Sequence, residues 1–256
     1  MALNKKYKSV LITGGAQRIG ESIAKFLAER DYNVAIQYNS SSKNASKLKE
    51  QFKNSNIKFA IYKFNFLKGK NIRKFYEKVR NDFGHIDILI NNASAFDFDT
   101  IRNSNENIFD KHMNVNLKTP FFLSQGFIES LGTRNGLIIN IIDQRVKNIT
   151  PYFTSYTLSK VGLYALTKSL SLSLAPKVRV NGISPGPTLM SKNQNKSQFK
   201  NQVLRTPLKK QVKLSEINSA IQYLINNLSV TGEILTLDSG QSLGWAHSKS
   251  KVFTSD

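Results

Sequence analysis

The sequence predicts an α/β fold in which a parallel sheet carries helices on both faces. Short runs of apolar and β-branched residues alternate with helical stretches, and this alternation is typical of strands joined by crossover helices. The uncharged run 136–142 indicates a central strand that is covered on both sides. The 256 residues suit one core. Because neither a linker nor an internal repeat divides the sequence, we expect a single domain over residues 1–256.

The local pattern predicts each element in turn. Strands are predicted from short apolar or β-branched runs at residues 9–13, 34–38, 58–64, 86–90, 136–142, 178–181 and 234–237. Helices are predicted between them at residues 19–30, 43–53, 72–83, 107–131, 155–174 and 215–228. The polar stretch 189–211 is rich in Lys, Asn and Gln and predicts a mobile flap over a site, although a plain surface insertion explains this composition equally well.

The composition excludes several classes of function. The chain has no cysteine, which excludes disulfides, thiolate nucleophiles and zinc–thiolate sites. Its three histidines, His85, His112 and His247, include no pair with metal-ligand spacing, so no metal site is predicted. The N-terminus lacks the apolar stretch of a signal peptide, and no uncharged run reaches membrane-spanning length. We therefore expect a soluble cytoplasmic protein without membrane partners.

The net charge of +20 raises the question of nucleic-acid binding. The 28 Lys and 9 Arg are scattered along the whole chain, whereas nucleic-acid readers concentrate Arg and aromatic residues on one element. A lysine- and asparagine-rich surface is the simpler interpretation, and we expect no nucleic-acid partner. The charge still attracts anionic small molecules or an acidic carrier protein.

A glycine-rich turn joins the first predicted strand to the first helix. It reads Thr13-Gly14-Gly15-Ala16-Gln17-Arg18-Ile19-Gly20. Glycine allows a tight turn and close approach to a pyrophosphate, and a helix N-terminus offers N–H donors and the positive end of its dipole. Many strand-to-helix turns need glycine, but this one occupies the first βα turn of the predicted sheet. We therefore predict a dinucleotide site at this turn.

The end of the second predicted strand favours NADPH over NADH. An NAD site usually has a carboxylate there, whereas this chain reads Gln37-Tyr38-Asn39-Ser40-Ser41-Ser42-Lys43. The hydroxyl groups and the Arg18 guanidinium offer hydrogen bonds and positive charge to a 2′-phosphate. The cofactor is therefore predicted to lie against Tyr38, Asn39, Ser40 and Ser41. The serines also suit a helix N-cap ahead of Lys43, and the two roles are compatible.

Tyr156 and Lys160 form the candidate catalytic pair. Residues four apart share one face of a helix, and a nearby ammonium is expected to lower the pKa of the phenol so that it donates a proton near neutral pH. Taken alone, the spacing also fits an ordinary surface Tyr–Lys pair.

The motifs together resemble the short-chain dehydrogenase/reductase family over nearly the whole chain. In order they are Thr13-Gly14…Gly20, Asn91-Asn92-Ala93, Asn116, Tyr156-x-x-x-Lys160, Pro185-Gly186 and Asp238-Ser239-Gly240. The resemblance implies a Rossmann-like, doubly wound sheet, hydride transfer from a nicotinamide and a homotetramer built partly on the long helices. Apolar positions such as Leu163, Leu166 and Leu170 permit that assembly, and they fit packing on the chain's own sheet equally well.

The resemblance also implies roles for individual residues. Tyr156 is the acid, Lys160 binds the ribose and tunes Tyr156, and Asn116 holds a water of the proton relay. Further cofactor contacts are implied at Asn92, Ala93, Pro185, Gly186, Thr188 and, at the adenine, Asn65. Where Asn65 stands, the family commonly has Asp; the amide keeps an acceptor oxygen, so binding is expected to survive.

Two departures from the general family pattern resemble its pteridine reductase branch. The phosphate loop ends Arg18-Ile19-Gly20 rather than Gly-x-Gly, and Asp143 stands where the family normally has Ser. Ser94 and Phe96 complete a pattern shared with bacterial dihydromonapterin reductases. This resemblance implies that Phe96 stacks on a pterin, that Ser94 and Arg18 contact both cofactor and substrate, and that Asp143 and Tyr156 supply the proton.

The chemistry of Asp143 supports the same branch. An ionised carboxylate repels the negative charge that builds on a ketone oxygen during reduction, whereas a carboxyl group assists protonation of a ring C=N nitrogen. Asp143 as a turn cap, Phe96 as an ordinary core aromatic and Arg18 as a plain 2′-phosphate ligand remain open alternatives.

The sequence therefore predicts an NADPH-dependent reductase of a dihydromonapterin-, dihydrobiopterin- or dihydrofolate-like substrate. A carbonyl reductase, such as a 3-oxoacyl-[acyl-carrier-protein] reductase, is the first alternative, because the basic surface suits an acidic carrier. A non-catalytic nucleotide sensor or nucleic-acid binder on the same fold is the second.

Overall fold

Seven parallel strands form one sheet in the computed structural model, which describes residues 8–192 and 194–244. The expectations for the N-terminal residues 1–6 and for His247 lie outside the described residues. The strands are β1 (Ser9–Ile12), β2 (Asn33–Tyr38), β3 (Phe59–Lys63), β4 (Ile88–Asn91), β5 (Gly136–Ile141), β6 (Val178–Pro185) and β7 (Ile234–Leu237). Their order is β3-β2-β1-β4-β5-β6-β7. This topology confirms the predicted Rossmann-like α/β fold.

Helices connect the strands and cover the sheet. They are α1 (Arg18–Ala28), α2 (Ser42–Gln51), α3 (Ile72–Phe83), α4 (Glu106–Met113), α5 (Thr119–Ser130), α6 (Thr154–Ser173), α7 (Lys196–Leu204) and α8 (Leu214–Asn226). Among the described residues, no helix is long and apolar enough to cross a membrane.

The alternation of side chains along the strands produces two cores. In β1, Val10 and Ile12 pack with α1, α2 and α8 on one face, while Leu11 packs with α3 and α5 on the other. Side chains of a strand point alternately to opposite faces, so a run that is apolar at every position is required where both faces are covered. This explains why the central strands read as uncharged runs.

The long helix predicted over 107–131 is interrupted. Between α4 and α5 the chain forms a π-helical segment, Asn114–Lys118, that precedes Pro120. Proline has no N–H to donate to the carbonyl four residues earlier, which belongs to Asn116, and its ring crowds that carbonyl. A wider turn at this position relieves the conflict.

Two further elements differ from the predictions. Strand β6 continues past Asn181 to Pro185, because it pairs with β5 and β7 along this length. No helix was predicted in the stretch 189–211, but it contains helix α7; the predicted mobility of this stretch stays a prediction. Asn195 and Gln198 form a capping box at the start of α7, which fixes that end locally.

Candidate active site

The predicted site residues follow the carboxyl ends of the strands. In the sheet order, β1 lies between β2 and β4, and the connections from β1 and β4 run in opposite directions. Ligands of open α/β sheets bind in the crevice outside the carboxyl ends of the strands at such a switch point. The glycine turn after β1 and the Asn92–Ala93 segment after β4 both lie there.

The glycine turn is tied closely to its neighbours. Gly14 N–H donates to Gln37 Oε1 at 2.9 Å, and the Asn92 side-chain amide donates to the carbonyls of Thr13 and Gly14 at 2.9 and 3.1 Å. A Cβ atom at Gly20 would lie 2.2 Å from the Gly14 carbonyl oxygen. The loop therefore accepts no side chain at Gly20, and its course against Asn92 is fixed.

The start of α1 faces the same crevice. Gln17 occupies the N-cap position, but its side-chain oxygen accepts from Ser41 Oγ at 3.1 Å instead of capping the helix. The first N–H groups of a helix have no partner within the helix, so this end, which includes Ile19 and Gly20, suits an anion.

Arg18 adopts the left-handed backbone conformation, with φ at 56°. Its guanidinium donates to the carbonyls of Met190 and Leu189 at 2.9 and 3.2 Å. The side chain thus reaches from the phosphate loop to the stretch after β6. This contact was not predicted from the sequence. Arg18 is separated from its two partners by 171 and 172 residues, so no local sequence pattern indicates the contact.

The loop after β2 presents hydroxyl groups next to the glycine turn. Asn39 and Ser40 are exposed, and Tyr38 is half-buried at the end of the strand. Ser41 occupies the N-cap position of α2, as predicted, but its side chain makes no capping hydrogen bond and its hydroxyl donates to Gln17 instead. Asn65 is exposed after β3, and its side-chain oxygen accepts from Leu67 N–H at 2.9 Å.

Tyr156 and Asp143 are joined directly. The phenol donates to Asp143 Oδ2 at 2.7 Å, and Asp143 Oδ1 accepts from Arg145 N–H at 2.9 Å. Asp143 therefore caps a short turn and also bonds to the candidate acid, while its predicted role in supplying the proton stays a prediction. The turn cap orients the carboxylate so that its second oxygen faces the phenol.

The pKa of Tyr156 shifts in the direction opposite to the one predicted. Burial, the charge of Asp143 and its hydrogen bond raise the pKa of the Tyr156 phenol well above its usual value. Lys160 Nζ donates to the Ile141 carbonyl at 2.8 Å and lies 5.8 Å from the centroid of the Tyr156 ring. Burial lowers the pKa of Lys160 itself to about 8. The ammonium thus donates to the end of β5 and also lies within cation–π distance of the Tyr156 ring.

Asn116 is fully buried in the π-helical segment. Its side-chain oxygen accepts from Ala95 N–H at 2.8 Å, and its amide donates to the Ala95 carbonyl and to Ser159 Oγ, both at 3.0 Å. These bonds connect the segment after β4 to α6, the helix that carries Tyr156. The predicted water contact of Asn116 stays a prediction.

Phe96 and Ser94 lie beside the phenol. The Phe96 ring meets the Tyr156 ring edge to face, with centroids 4.7 Å apart, and it is 39% exposed. A hydrogen bond between Ser94 and Tyr156 lowers the pKa of the phenol, although this effect is smaller than those that raise it. Four of the five predicted substrate contacts are thus brought together, and the fifth, Arg18, reaches the stretch after β6.

The end of β6 closes the other side of the crevice. Gly186 packs against Asp238, where a Cβ atom would lie 2.7 Å from Asp238 Cα. Thr188 is buried, and its hydroxyl donates to the Gly186 carbonyl at 3.1 Å. This packing holds the Pro185–Gly186 turn firmly next to β7.

Sequence analysis missed two residues that shape the site. Phe153 stacks on Phe96 with centroids 4.6 Å apart, and its φ of 60° is in the left-handed region. Buried Asp99 accepts from Ser155 N–H at 3.1 Å at the start of α6 and from the Ser155 hydroxyl. An Asp in a loop and a Phe before a helix carry no local signal of these roles.

Comparisons with known proteins identify the family. The family described as short chain dehydrogenase matches residues 8–201. A 3-oxoacyl-[acyl-carrier-protein] reductase of Staphylococcus epidermidis is 30% identical over 239 residues, which are 91% of this chain and 98% of that protein. An uncharacterized oxidoreductase of Thermotoga maritima is 32% identical over 252 residues, 94% of this chain and 99% of that protein.

Solved structures are similar over the same length. The FolM alternative dihydrofolate reductase 1 of Brucella canis, complexed with NADP, superposes with a TM-score of 0.91 at 36% identity and covers 96% of this chain and 98% of that one. With the parallel sheet, the glycine turn and the Tyr156–Lys160 pair at its carboxyl edge, the chain belongs to the short-chain dehydrogenase family of oxidoreductases.

Proposed function

We propose that the protein is an NADPH-dependent reductase that transfers hydride to a pteridine-type C=N bond. The observation that carries this proposal is the 2.7 Å hydrogen bond from the Tyr156 phenol to Asp143, with the Phe96 ring beside it. The substrate class is a dihydromonapterin-, dihydrobiopterin- or dihydrofolate-like ring. The similar Brucella canis protein is described as an alternative dihydrofolate reductase, which supports the same class.

The residues around the glycine turn fit NADPH. The anion-favouring start of α1 would hold the pyrophosphate, and Arg18, Ser40 and Ser41 would surround a 2′-phosphate. No carboxylate stands between Gln37 and Lys43 to repel it. Asn92, Ala93, Pro185, Gly186 and Thr188 would border the nicotinamide, and Lys160 the ribose. The Brucella canis structure was solved with NADP, which is consistent with this choice.

The charge at Asp143 favours an imine over a ketone. Protonation of a ring C=N nitrogen places positive charge on the substrate, and an adjacent carboxylate stabilises that charge. Reduction of a ketone places negative charge on oxygen, which the same carboxylate destabilises. The geometry therefore fits a reaction in which the nitrogen gains a proton as the ring is reduced.

Each group has a distinct task in this mechanism. A bound NADPH supplies the hydride. The Tyr156 hydroxyl delivers the proton to the ring nitrogen. Until the substrate binds, Asp143 accepts the hydrogen bond from this hydroxyl and so holds the phenol in position. Phe96 offers a π-face to the flat ring. Asn116 holds the Ala95 backbone next to Phe96 with two hydrogen bonds.

A carbonyl reductase is the second candidate, because the Staphylococcus epidermidis relative that matches nearly the whole chain is a 3-oxoacyl-[acyl-carrier-protein] reductase. The two candidates differ in what Asp143 does. We expect NADPH oxidation with a dihydropterin and little with an acetoacetyl thioester. In Asp143→Ser the preference is expected to shift towards the thioester, since a hydroxyl donates to a developing oxyanion. Efficient thioester reduction by the unchanged protein would refute the pteridine assignment.

We further propose that the chain forms a homotetramer. An apolar groove runs between the π-helical segment with α5 and the neighbouring α6. It is lined in part by Leu117, Phe121, Phe122, Ala165 and Leu166. Of the three positions considered from sequence, Leu163 and Leu170 pack within the chain, whereas Leu166 also faces this groove. Phe121 is 48% exposed, and apolar grooves of this kind mark interaction surfaces.

A further inference from the structure

Four aromatic rings form a continuous series that begins at the catalytic phenol. We name Phe96, Phe153, Phe98 and Tyr152 the aromatic track. Phe96 contacts the Tyr156 ring at 4.7 Å between centroids and stacks on Phe153 at 4.6 Å. Phe153 meets Phe98 edge to face at 5.2 Å, and Phe98 stacks on Tyr152 at 6.0 Å. The track therefore leads outward from the place where the proposed reaction occurs.

The outer rings of the aromatic track are exposed to solvent. Phe98 is 49% exposed and Tyr152 is 53% exposed. Single exposed apolar side chains are common, but several in contact with one another mark a binding surface. Because Phe153 contacts both Phe96 and Phe98, the series of rings is continuous from these outer rings to the proposed pterin site.

The aromatic track is held in place although the backbone at Phe153 is strained. Phe153 has a φ of 60°, which is unfavourable for a bulky residue, and its N–H donates to the Asp99 carbonyl at 2.7 Å. The Arg145 guanidinium lies 4.6 Å from the centroid of the Phe153 ring and donates to Thr150 Oγ1 at 2.9 Å. Strained backbone persists where the surroundings hold it and concentrates at functional sites. The stacking of the track is therefore imposed by its surroundings.

We propose that the aromatic track binds an aryl group carried on the side chain of the pterin, an inference that rests on the proposed function. Planar rings offer π-faces to another aromatic ring, and Tyr152 supplies the one hydroxyl among the four side chains. A polyhydroxylated aliphatic side chain needs several hydrogen-bond partners, which these rings do not provide. The structure thus favours dihydropterins with an aromatic substituent over those with a short polyol.

The relative use of two substrates tests this proposal. The double variant Phe98→Ala/Tyr152→Ala is compared with the unchanged protein, using NADPH with 7,8-dihydrofolate, which carries an aryl group, and with 6-methyl-7,8-dihydropterin, which does not. We expect kcat/KM for dihydrofolate to fall about tenfold more than that for the methyl compound, as lost ring stacking implies. Most of the fall should appear in KM, since binding energy common to ground and transition states is removed.

The control variant is Tyr223→Ala, which removes a 46% exposed ring from α8 and should leave the ratio of the two substrates unchanged. If the double variant loses the same proportion of kcat/KM for both substrates, so that their ratio is unchanged, the aromatic track is not a binding surface for the aryl group. An unchanged ratio with a smaller assembly in sedimentation would instead assign the two rings to a contact between copies of the chain. If the unchanged protein reduces neither dihydropterin, the proposed function itself fails, and the track proposal fails with it.

Discussion

The Tyr156 hydroxyl donates to Asp143 Oδ2 at 2.7 Å, and the same carboxylate caps the turn that follows β5. The backbone therefore sets the orientation of the acid's partner, and neither side chain can turn away without losing a bond. A phenol with a raised pKa keeps its proton at neutral pH. The Tyr156–Asp143 pair therefore keeps one proton next to the Phe96 ring, where a more basic atom of the substrate can accept it.

Asp143→Asn separates the charge of this residue from its shape. The amide oxygen can still accept from Arg145 N–H, but the negative charge is lost. We expect dihydropterin reduction to fall about 100-fold or more, the size typical of a general acid–base contribution, and Tyr156→Phe to fall at least as far. The rate of NADPH oxidation at saturating NADPH measures the activity of both variants. Wild-type turnover in Asp143→Asn would remove the carboxylate from the mechanism.

The pH profile of the same variant provides an independent check. Both the charge of Asp143 and its hydrogen bond raise the pKa of Tyr156, so their removal should lower it. If Tyr156 must be protonated to act as the acid, activity is lost as pH rises through the phenol's pKa. The alkaline limb of kcat/KM in Asp143→Asn is therefore expected at lower pH than in the unchanged protein. A limb at the same pH would show that the phenol does not control this part of the profile.

Features coded by neighbouring residues could be predicted from the sequence. The strands, the glycine turn and the four-residue spacing of Tyr156 and Lys160 depend on local patterns, and the sheet places them together. The partner of Lys160 could not be predicted, because the Ile141 carbonyl becomes available only when β5 and α6 pack. Pro120 did indicate from the sequence that the helix is interrupted there, because a proline ring does not fit in the interior of a regular helix. The contact of Arg18 with the carbonyl of Leu189 needs tertiary structure.

Lys160 is expected to make stability depend on pH. Its pKa is about 8 in the native state, below the ordinary 10.5. Between these values the unfolded chain binds more protons, so the native state gains stability as pH rises through this window. The free energy of unfolding of the unchanged protein, minus that of Lys160→Met, should therefore increase from pH 8 to 10.5. Urea denaturation of both proteins at each pH measures this difference in the free energy of unfolding.

A matched control for this experiment is Lys168→Met, which also removes a lysine-to-carbonyl hydrogen bond from α6, in that case to Gly232. It accounts for the cost of leaving a carbonyl without its donor. A difference between the unchanged protein and Lys160→Met that stays constant across the window would contradict the lowered pKa of Lys160.

Phe121 tests the proposed assembly. An aspartate at this position would place a charge in the apolar groove between α5 and α6, where a second copy would have to desolvate it. We expect Phe121→Asp to sediment as a smaller species than the unchanged protein while its circular dichroism stays the same. Leu172→Asp is the control, because Leu172 is 83% exposed on α6 and does not line the groove. Equal sedimentation of Phe121→Asp and the unchanged chain would place any interface elsewhere.

Arg18 couples the phosphate loop to the stretch after β6. Its two hydrogen bonds to the carbonyls of Leu189 and Met190 are exposed, so together they stabilise this contact by about 1 kcal/mol. In Arg18→Ala, amide hydrogen exchange over residues 189–204 should therefore accelerate roughly fivefold, since exchange reports local opening. Weaker binding of NADPH, with little change for NADH, should accompany it if the guanidinium also meets the 2′-phosphate.

The two readouts separate the two roles of Arg18. Lys25→Ala is the control, because it removes a cation from the same helix that is paired with Glu21. Faster exchange with unchanged NADPH affinity would mean that Arg18 acts on the stretch after β6 alone. Weaker NADPH binding with unchanged exchange would mean that the hydrogen bonds to the two carbonyls do not stabilise that stretch. We expect a bound 2′-phosphate to attract the guanidinium and so to compete with the carbonyls of Leu189 and Met190. NADPH should then raise exchange over residues 189–204 relative to NADH in the unchanged protein, and this difference should disappear in Arg18→Ala.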